Sequence, residues 1–501
     1  MGKKKQYVLI ILSIIIISVI GTVAWLTWKS KETALVLTVG EVDGTRVVLK
    51  PYVINENLAP TVSYDSNEAV DIKATNNGKE ASRVTIYYDI DEIAKELLID
   101  SFKYTILKST DKGSNYSLYE EGNFVTATTS DHFIIIEEVI PKDIEYNYKV
   151  YMWLDGNNSN SLDAQGKVFK AELGVEITDG TLITARDLTN KANPETLTYA
   201  EATDSQKAEM WTFSHEATEQ TRALTDYRYI GNMPNNYIIY NNETWRIIGV
   251  FDKKIKIIKD SSIGNLDWDY KKTGIGSSTD DNGSSDWTDS QIMYMLNPTT
   301  YKLKTGYTLD GSYIKDASGN IIYQVGCQPA SIAVGATSYS CADNTWSLSD
   351  EALSQIDEVT YYLGYGVFTS AVRSYTRERS KTVPTGREIN WNGYVGLMYP
   401  SDYGYTFANG VNDTCYNDIE NCSTKMDKGG VPGSSWLFNS SYQFTFAPNY
   451  AYTVFGVSAS GHMSAYRVNS ETSVRPVVYL KTNTKLLGTG TGDDPYTIVS
   501  Q

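Results

Sequence analysis

Residues Tyr7 to Trp28 read YVLIILSIIIISVIGTVAWLTW, a run with no charged side chain. A run of that length spans a bilayer core as one helix. Lys3, Lys4 and Lys5 precede it, and Trp25 and Trp28 stand where interfacial aromatics settle. Basic residues before a span hold that end in the cytoplasm. The expectation is a single-pass protein of the cell membrane, anchored by residues 7–28 within an anchor or signal-anchor covering 1–30. Its N-terminus would be cytoplasmic and its bulk extracellular. Gly21, Thr22 and Ala24 leave cleavage after the run open.

The formal net charge is −16, with 38 tyrosines and only 3 histidines. An acidic chain lacks the basic stripe that phosphate contacts require, so a nucleic-acid partner is not expected. So few histidines also argue against a histidine-based metal cluster.

Four cysteines fall in two local pairs, Cys327 with Cys341 and Cys415 with Cys422. Neither spacing is a CxxC zinc or redox pattern. In an oxidising exterior such pairs close disulfides, contributing about 3 and 2.5 kcal/mol by the loop-entropy model. A four-cysteine zinc site is the alternative.

Residues 33–180 contain short β-branched runs bounded by Asn, Gly and Asp: ALVLTVG, TRVVLKPYVI, AVDIKATN, SRVTIYYDI, HFIIIEEVI, YNYKVYMWL and KVFKAELGVEI. They predict an all-β sandwich, interrupted by one helix at DEIAKELLIDSF. Residues 181–225 turn to Thr, Ala and Glu and read as a spacer, with one amphipathic helix over SQKAEMWTFSHEATEQTRAL that places His215 on its surface. From 226 to 501 the texture is α+β with long irregular loops. YIIYNNETWRIIGVF and KKIKIIKD predict a hairpin. WTDSQIMYMLN predicts a helix capped by Thr288 or Asp289, and LSDEALSQID one capped by Ser349.

Two resemblances follow from these segments. GTVAWLTW, the strands after it and YKVYMWLDGNNSNSLDAQGKVFKAELGVEI resemble the camelysin and biofilm-fibre subunit families, which implies a jelly-roll-like domain over 33–180. DYRYIGNMPNNYIIYNNETWRIIGVF, KIKIIKDSSIGN, VGLMYPSDYGY and SVRPVVYLKT with GTGTGDDPYTI resemble a C-terminal module of Firmicutes surface proteins. That module is similar to the formylglycine-generating-enzyme branch of the C-type-lectin-like fold, which implies such a head over 226–501. The enzyme's closing segment carries two copper-binding cysteines. Here SGHMSAYRVNSETSVRPVVYL occupies that place without a cysteine, so the resemblance does not carry the oxidase with it. Nor does any metalloprotease motif accompany the camelysin-like part.

Other motifs are thin. Ser109 to Lys112 matches SxxK, and GVSASG misses a nucleophile elbow by one residue. DGNNSNSLD, with Asp155 and Asn157, and DWDYKKTGIGSSTDDNGSSDW, with Asp267 and Asp269, space oxygen-bearing side chains as calcium loops do. No cofactor is otherwise expected. Aromatic residues among Gly, Ser and Asn are the candidate ligand contacts: Trp268, Trp287, Trp391, Tyr403, Tyr405 and Trp436. Rigid amphipathic rings in polar loops suit recognition of a glycan or a protein. The expected function is therefore a non-catalytic binding or adhesion protein with a lectin-like head. The alternatives are a structural subunit of a surface fibre that self-associates through its sandwich, or an enzyme with an unrecognised site.

Overall fold

The computed structural model describes residues 34–39, 52–55 and 60–499, apart from 68, 77–80, 130–131, 159, 270–282, 300, 329–344, 366–370, 408–434 and 462. The chain is mostly β-sheet, 40% strand and 13% helix. Among the described residues no helix is long and apolar enough to cross a membrane. That corrects the fold expected with an N-terminal transmembrane helix, and the single-pass location drawn from it. Residues 7–28 themselves lie outside the described residues. The chain divides into two compact units, 1–182 and 183–501.

Among the described residues the first unit contains ten strands: β1 (Ala34–Val39), β2 (Tyr52–Asn55), β3 (Pro60–Thr61), β4 (Val70–Asn76), β5 (Ser82–Ile93), β6 (Phe102–Ser109), β7 (Ser117–Asn123), β8 (His132–Ile140), β9 (Glu145–Asp155) and β10 (Phe169–Asp179). One sheet runs β1-β4-β9-β6-β7, with β3 also on β9, and the other runs β2-β10-β5-β8. Alternation explains how they pack. Val84, Ile86, Tyr88 and Ile90 on β5 share one core with Ile72, Ala74, Val150 and Leu154 of the facing sheet. Phe102, Phe124 and Phe169 fill its centre, with ring centroids 4.6 to 5.2 Å apart. The expected helix at DEIAKELLIDSF does not form. β5 continues through Ile93, a single 3-10 turn covers Lys95–Leu97, and β6 begins at Phe102. Strand pairing has overridden a helical spacing of only a few residues.

In the second unit, the expected hairpin is present as β13 (Tyr237–Tyr240), β14 (Glu243–Phe251) and β15 (Lys254–Lys259). Asn241 and Asn242 take φ of 52° and 58°, and Asp252 and Lys253 take 46° and 68°. Two successive left-handed residues match the right-handed twist of the flanking strands in a two-residue turn. The terminal Tyr496–Ile498 strand pairs parallel with β13, and Val477–Tyr479 pairs with β15.

Residues 183–225 do not form the single helix expected. They carry short helices at Ala185–Asn190 and Asp204–Ala208, then β11 (Trp211–His215) and β12 (Leu224–Arg228). Each helix starts with a reciprocal cap, Thr184 with Asp187 and Thr203 with Gln206. Those T-x-x-D and T-x-x-Q spacings are helix-start signals in the sequence. The Gln291–Leu296 helix is capped by Ser290 and not by Thr288 or Asp289, because Ser290 is the residue whose hydroxyl reaches the Met293 amide. Asp350–Ser354 is capped by Ser349 as expected.

Candidate functional site

The aromatic candidates are all interior. Trp268, Trp287, Trp391, Tyr403, Tyr405 and Trp436 are at most 9% exposed. Trp268 meets Trp287 edge-on at 5.4 Å, and Trp287 meets Trp391 at 5.6 Å and Phe446 at 4.5 Å. Two of the polar ends are spent inside: Tyr403 donates to the Gly461 carbonyl, and the Trp436 indole donates to the Tyr229 carbonyl. As placed, these rings fill a loop-rich core.

The calcium candidates are scattered. Asp155 pairs with Lys103 at 3.0 Å and accepts from the Asn157 amide. The Asp269 carboxylate accepts from the Ser284 and Gln291 amides. Asp267 is half-buried, and burial together with Glu471 pushes its carboxyl up to about 6. Among the described residues no group of three or more His, Cys, Asp or Glu is placed to hold a metal. Cys327 is disulfide-bonded, while Cys341, Cys415 and Cys422 lie outside the described residues. Ser109, the SxxK serine, hydrogen-bonds Asp111 and the Gly113 amide within its own turn.

A different group converges in the second unit. β12 aims Asp226 and Arg228 inward, β15 supplies Lys256, and β11 supplies His215. Two short helices, Ala371–Glu378 and Pro400–Tyr405, bring Glu378 with the following Arg379, and Ser401 with Asp402. All of these are buried. Arg228 bridges Asp226 at 2.8 Å and Asp402 at 2.9 Å, and Lys256 also donates to Asp402. His215 Nε2 lies 3.0 Å from Asp226. Glu378 accepts from both the amide and the hydroxyl of Ser401, at 2.9 and 2.6 Å, and pairs with Arg379 at 3.4 Å. Tyr375 lies between two partners, with the His215 ring stacked 3.8 Å from its centroid and the Arg379 guanidinium 3.5 Å from it.

The electrostatics follow from this pairing. Burial lowers the His215 pKa, and contact with Asp226 offsets only part of that, so the ring is held neutral. Burial raises Asp226, but Arg228 and His215 outweigh it and hold the carboxyl at about 2. Glu378 is raised by burial against the opposing pull of Arg379 and the Ser401 donors. Three cations, Arg228, Lys256 and Arg379, face three carboxylates, Asp226, Asp402 and Glu378. His215, expected on a helix surface, is thus a buried strand residue in this cluster.

At the surface the feature that stands out is the hairpin of strands Gln443–Tyr450 and Thr453–Val457. Tyr442, Tyr450 and Tyr452 are 54%, 67% and 38% exposed. The tip is fixed from below: Ser285 donates to the Tyr450 carbonyl at 2.5 Å, and Arg387 donates to Ser285 and to the Ala451 carbonyl. At the other end, Tyr466 crosses Gly456 to meet the Tyr442 ring at 5.7 Å. A Cβ on Gly456 would sit 2.6 Å from the Gln443 carbonyl oxygen and 2.8 Å from the Tyr466 ring, so only glycine fits there. The sequence does not single out these tyrosines, because the strand-like QFTFAPNYAYTVF in which Tyr450 and Tyr452 stand does not show which rings face outward.

No family model matches the chain, and no curated protein matches it either.

Proposed function

We propose that the chain is a non-catalytic binding protein, with the 183–501 unit as a lectin-like head that engages a glycan or protein ligand. The observation that carries this reading is the exposed set Tyr442, Tyr450 and Tyr452 on an anchored hairpin. Tyrosine rings held by a rigid backbone contribute contact area at low entropy cost. The non-catalytic part of the reading is supported by the charged cluster, whose groups are paired with one another and closed to solvent. The test is a glycan-array and protein-ligand screen of the full chain, with and without calcium, repeated with Tyr450→Ala and Tyr452→Ala. The expected outcome is a ligand whose binding both variants abolish. Silence of the wild-type chain, or binding unchanged in both variants, removes the reading.

A second reading, a structural fibre subunit, is favoured by one observation. β1, ALVLTV, lies at the end of its sheet among the described residues and pairs parallel with β4 from Ala34↔Asp71 to Val39↔Asn76. A strand so placed is a candidate for exchange between copies. Electron microscopy of the full chain distinguishes the two readings, since exchange yields polymers and a binding head alone does not.

A further inference from the structure

The charged cluster contains one contact that differs from the others. Lys256 and Asp402 touch each other with both side chains 1% exposed. Asp402 is well supplied: Oδ1 accepts from Arg228, and Oδ2 accepts from Lys256 and from the Tyr399 amide. Lys256 is not. An ammonium carries three N–H donors, and among the described residues Nζ has a single acceptor, Asp402 Oδ2. Around it stand the rings of Tyr399, Phe251 and Tyr479, with centroids 4.9, 5.0 and 5.3 Å away. A buried ion pair needs partners for its remaining protons, and here the rest of the ammonium meets ring faces in place of oxygen acceptors. Burial accordingly draws Lys256 towards the neutral amine. Burial raises Asp402, but Lys256 and Arg228 hold it down as a carboxylate.

We infer that Lys256 and Asp402 condense into an intramolecular amide, a covalent cross-link between β15 and the Pro400–Tyr405 helix. Within the contact one ammonium proton first passes from Nζ to Oδ2, leaving a neutral amine beside a neutral carboxyl; the Nζ lone pair then attacks Cγ of Asp402, and a C–N bond forms. Arg228 and the Tyr399 amide, already donating to the two carboxyl oxygens, carry the negative charge of the tetrahedral intermediate as fixed donors do in acyl transfer. The Cγ–Oδ2 bond then breaks, and Oδ2 leaves as water with two of the three ammonium protons. Oδ1 stays as the amide carbonyl, and one N–H stays on nitrogen. Atoms and charge balance with no co-reactant, and nothing is oxidised or reduced.

The product suits its surroundings better than the ion pair does. One N–H replaces three, so the aromatic wall no longer faces unpaired donors. The charges that remain are Arg228 against Asp226 and Arg379 against Glu378, each with its direct partner. Arg228 still has a carbonyl oxygen to donate to. The cost is one acceptor lost by the Tyr399 amide.

The test is the intact mass of the full chain, reduced and unfolded. The expected mass is below the sequence mass by one water molecule. Trypsin is then expected to leave Lys256 uncut and to release a branched peptide joining Ile255–Lys259 to Glu388–Lys425. Lys256→Met and Asp402→Ala should each show their own full sequence mass. The digest of the wild-type chain decides the matter even if both variants fail to fold. Full sequence mass with linear peptides cut after Lys256 overturns the inference, as does a water loss that the digest places elsewhere.

Discussion

In the 34–182 unit Lys170–Glu92 is 43% and 51% exposed, Lys167–Glu96 is 38% and 46% exposed, and Lys108–Glu138 keeps 14% on each side. In the 183–501 unit, Arg228–Asp226 and Arg228–Asp402 are at most 3% exposed. The first unit closes its core with apolar side chains on alternating strand positions, and pleat and register do the specifying. The second has, among the described residues, short strands and helices of eight residues or fewer, so little periodicity fixes how they meet. Arg228, Asp226, Lys256, Glu378 and Asp402 supply point-to-point contacts instead, joining β12, β15 and two helices far apart in sequence. Buried charges of this kind contribute less to stability than to specifying one arrangement.

The largest test of this contrast is Arg228→Met. Removing one partner leaves Asp226 buried without its main cation and Asp402 with Lys256 alone, which costs about 3–5 kcal/mol. Hydrogen exchange should show residues 183–501 destabilised and the 60–182 strands unchanged. Equal loss in both units would mean that the cluster is not confined to the second.

Acidification should separate the units next. His215 has a folded pKa below its ordinary value, so its stabilising contribution is full above about pH 6.5. That contribution falls as pH drops through the ordinary value towards the folded one, by at most about 1.4 kcal/mol per pH unit. Asp226 adds a second loss below about 3.8, continuing towards its folded value of about 2. Thermal melts at pH 7.5 and 5 should show the second unit weakening, and His215→Phe should flatten the first part of that dependence.

Smaller effects sharpen the comparison. Ile86→Val in the sandwich should cost about 1 kcal/mol, and Thr184→Ala, which removes a helix cap, about the same. Each should be confined to its own unit in denaturant unfolding followed by hydrogen exchange. Smallest of all, Tyr450→Ala should change stability by less than about 0.5 kcal/mol. A larger loss would make that exposed ring a structural element.

The sandwich strands were legible because their signal is local. HFIIIEEVI marks β8 from His132 to Ile140, and AVDIKATN and YNYKVYMWL mark β4 and β9. β6 and β7 were missed because the expected helix at DEIAKELLIDSF ran up to Phe102, where FKYTILKS begins, and SLYEEGN has only Leu118 and Tyr119 among polar residues and glycine. Thr184 and Thr203 announce their helices, yet the Thr/Ala/Glu composition around them suggested a spacer. The charged cluster was not legible. Lys256 stands between Lys254 and Lys259 in KIKIIK, a pattern that reads as a solvated strand face, and Asp402 sits in a Tyr- and Gly-rich segment that reads as loop. The aromatic candidates misled for a related reason: Trp268 and Trp287 have polar neighbours in sequence and apolar ones in space.

The sequence by itself determined where the sandwich strands run, where the Asn241-Asn242 turn reverses the chain and where several helices begin. These depend on residues within a few positions of one another, through side-chain alternation, left-handed turn conformations and capping spacings. Only the tertiary structure decided which charges are buried, that His215 belongs to a strand, and that Lys256 meets Asp402. Those outcomes depend on pairings across tens to hundreds of residues, and a residue's type does not record which remote partner will exclude water from it.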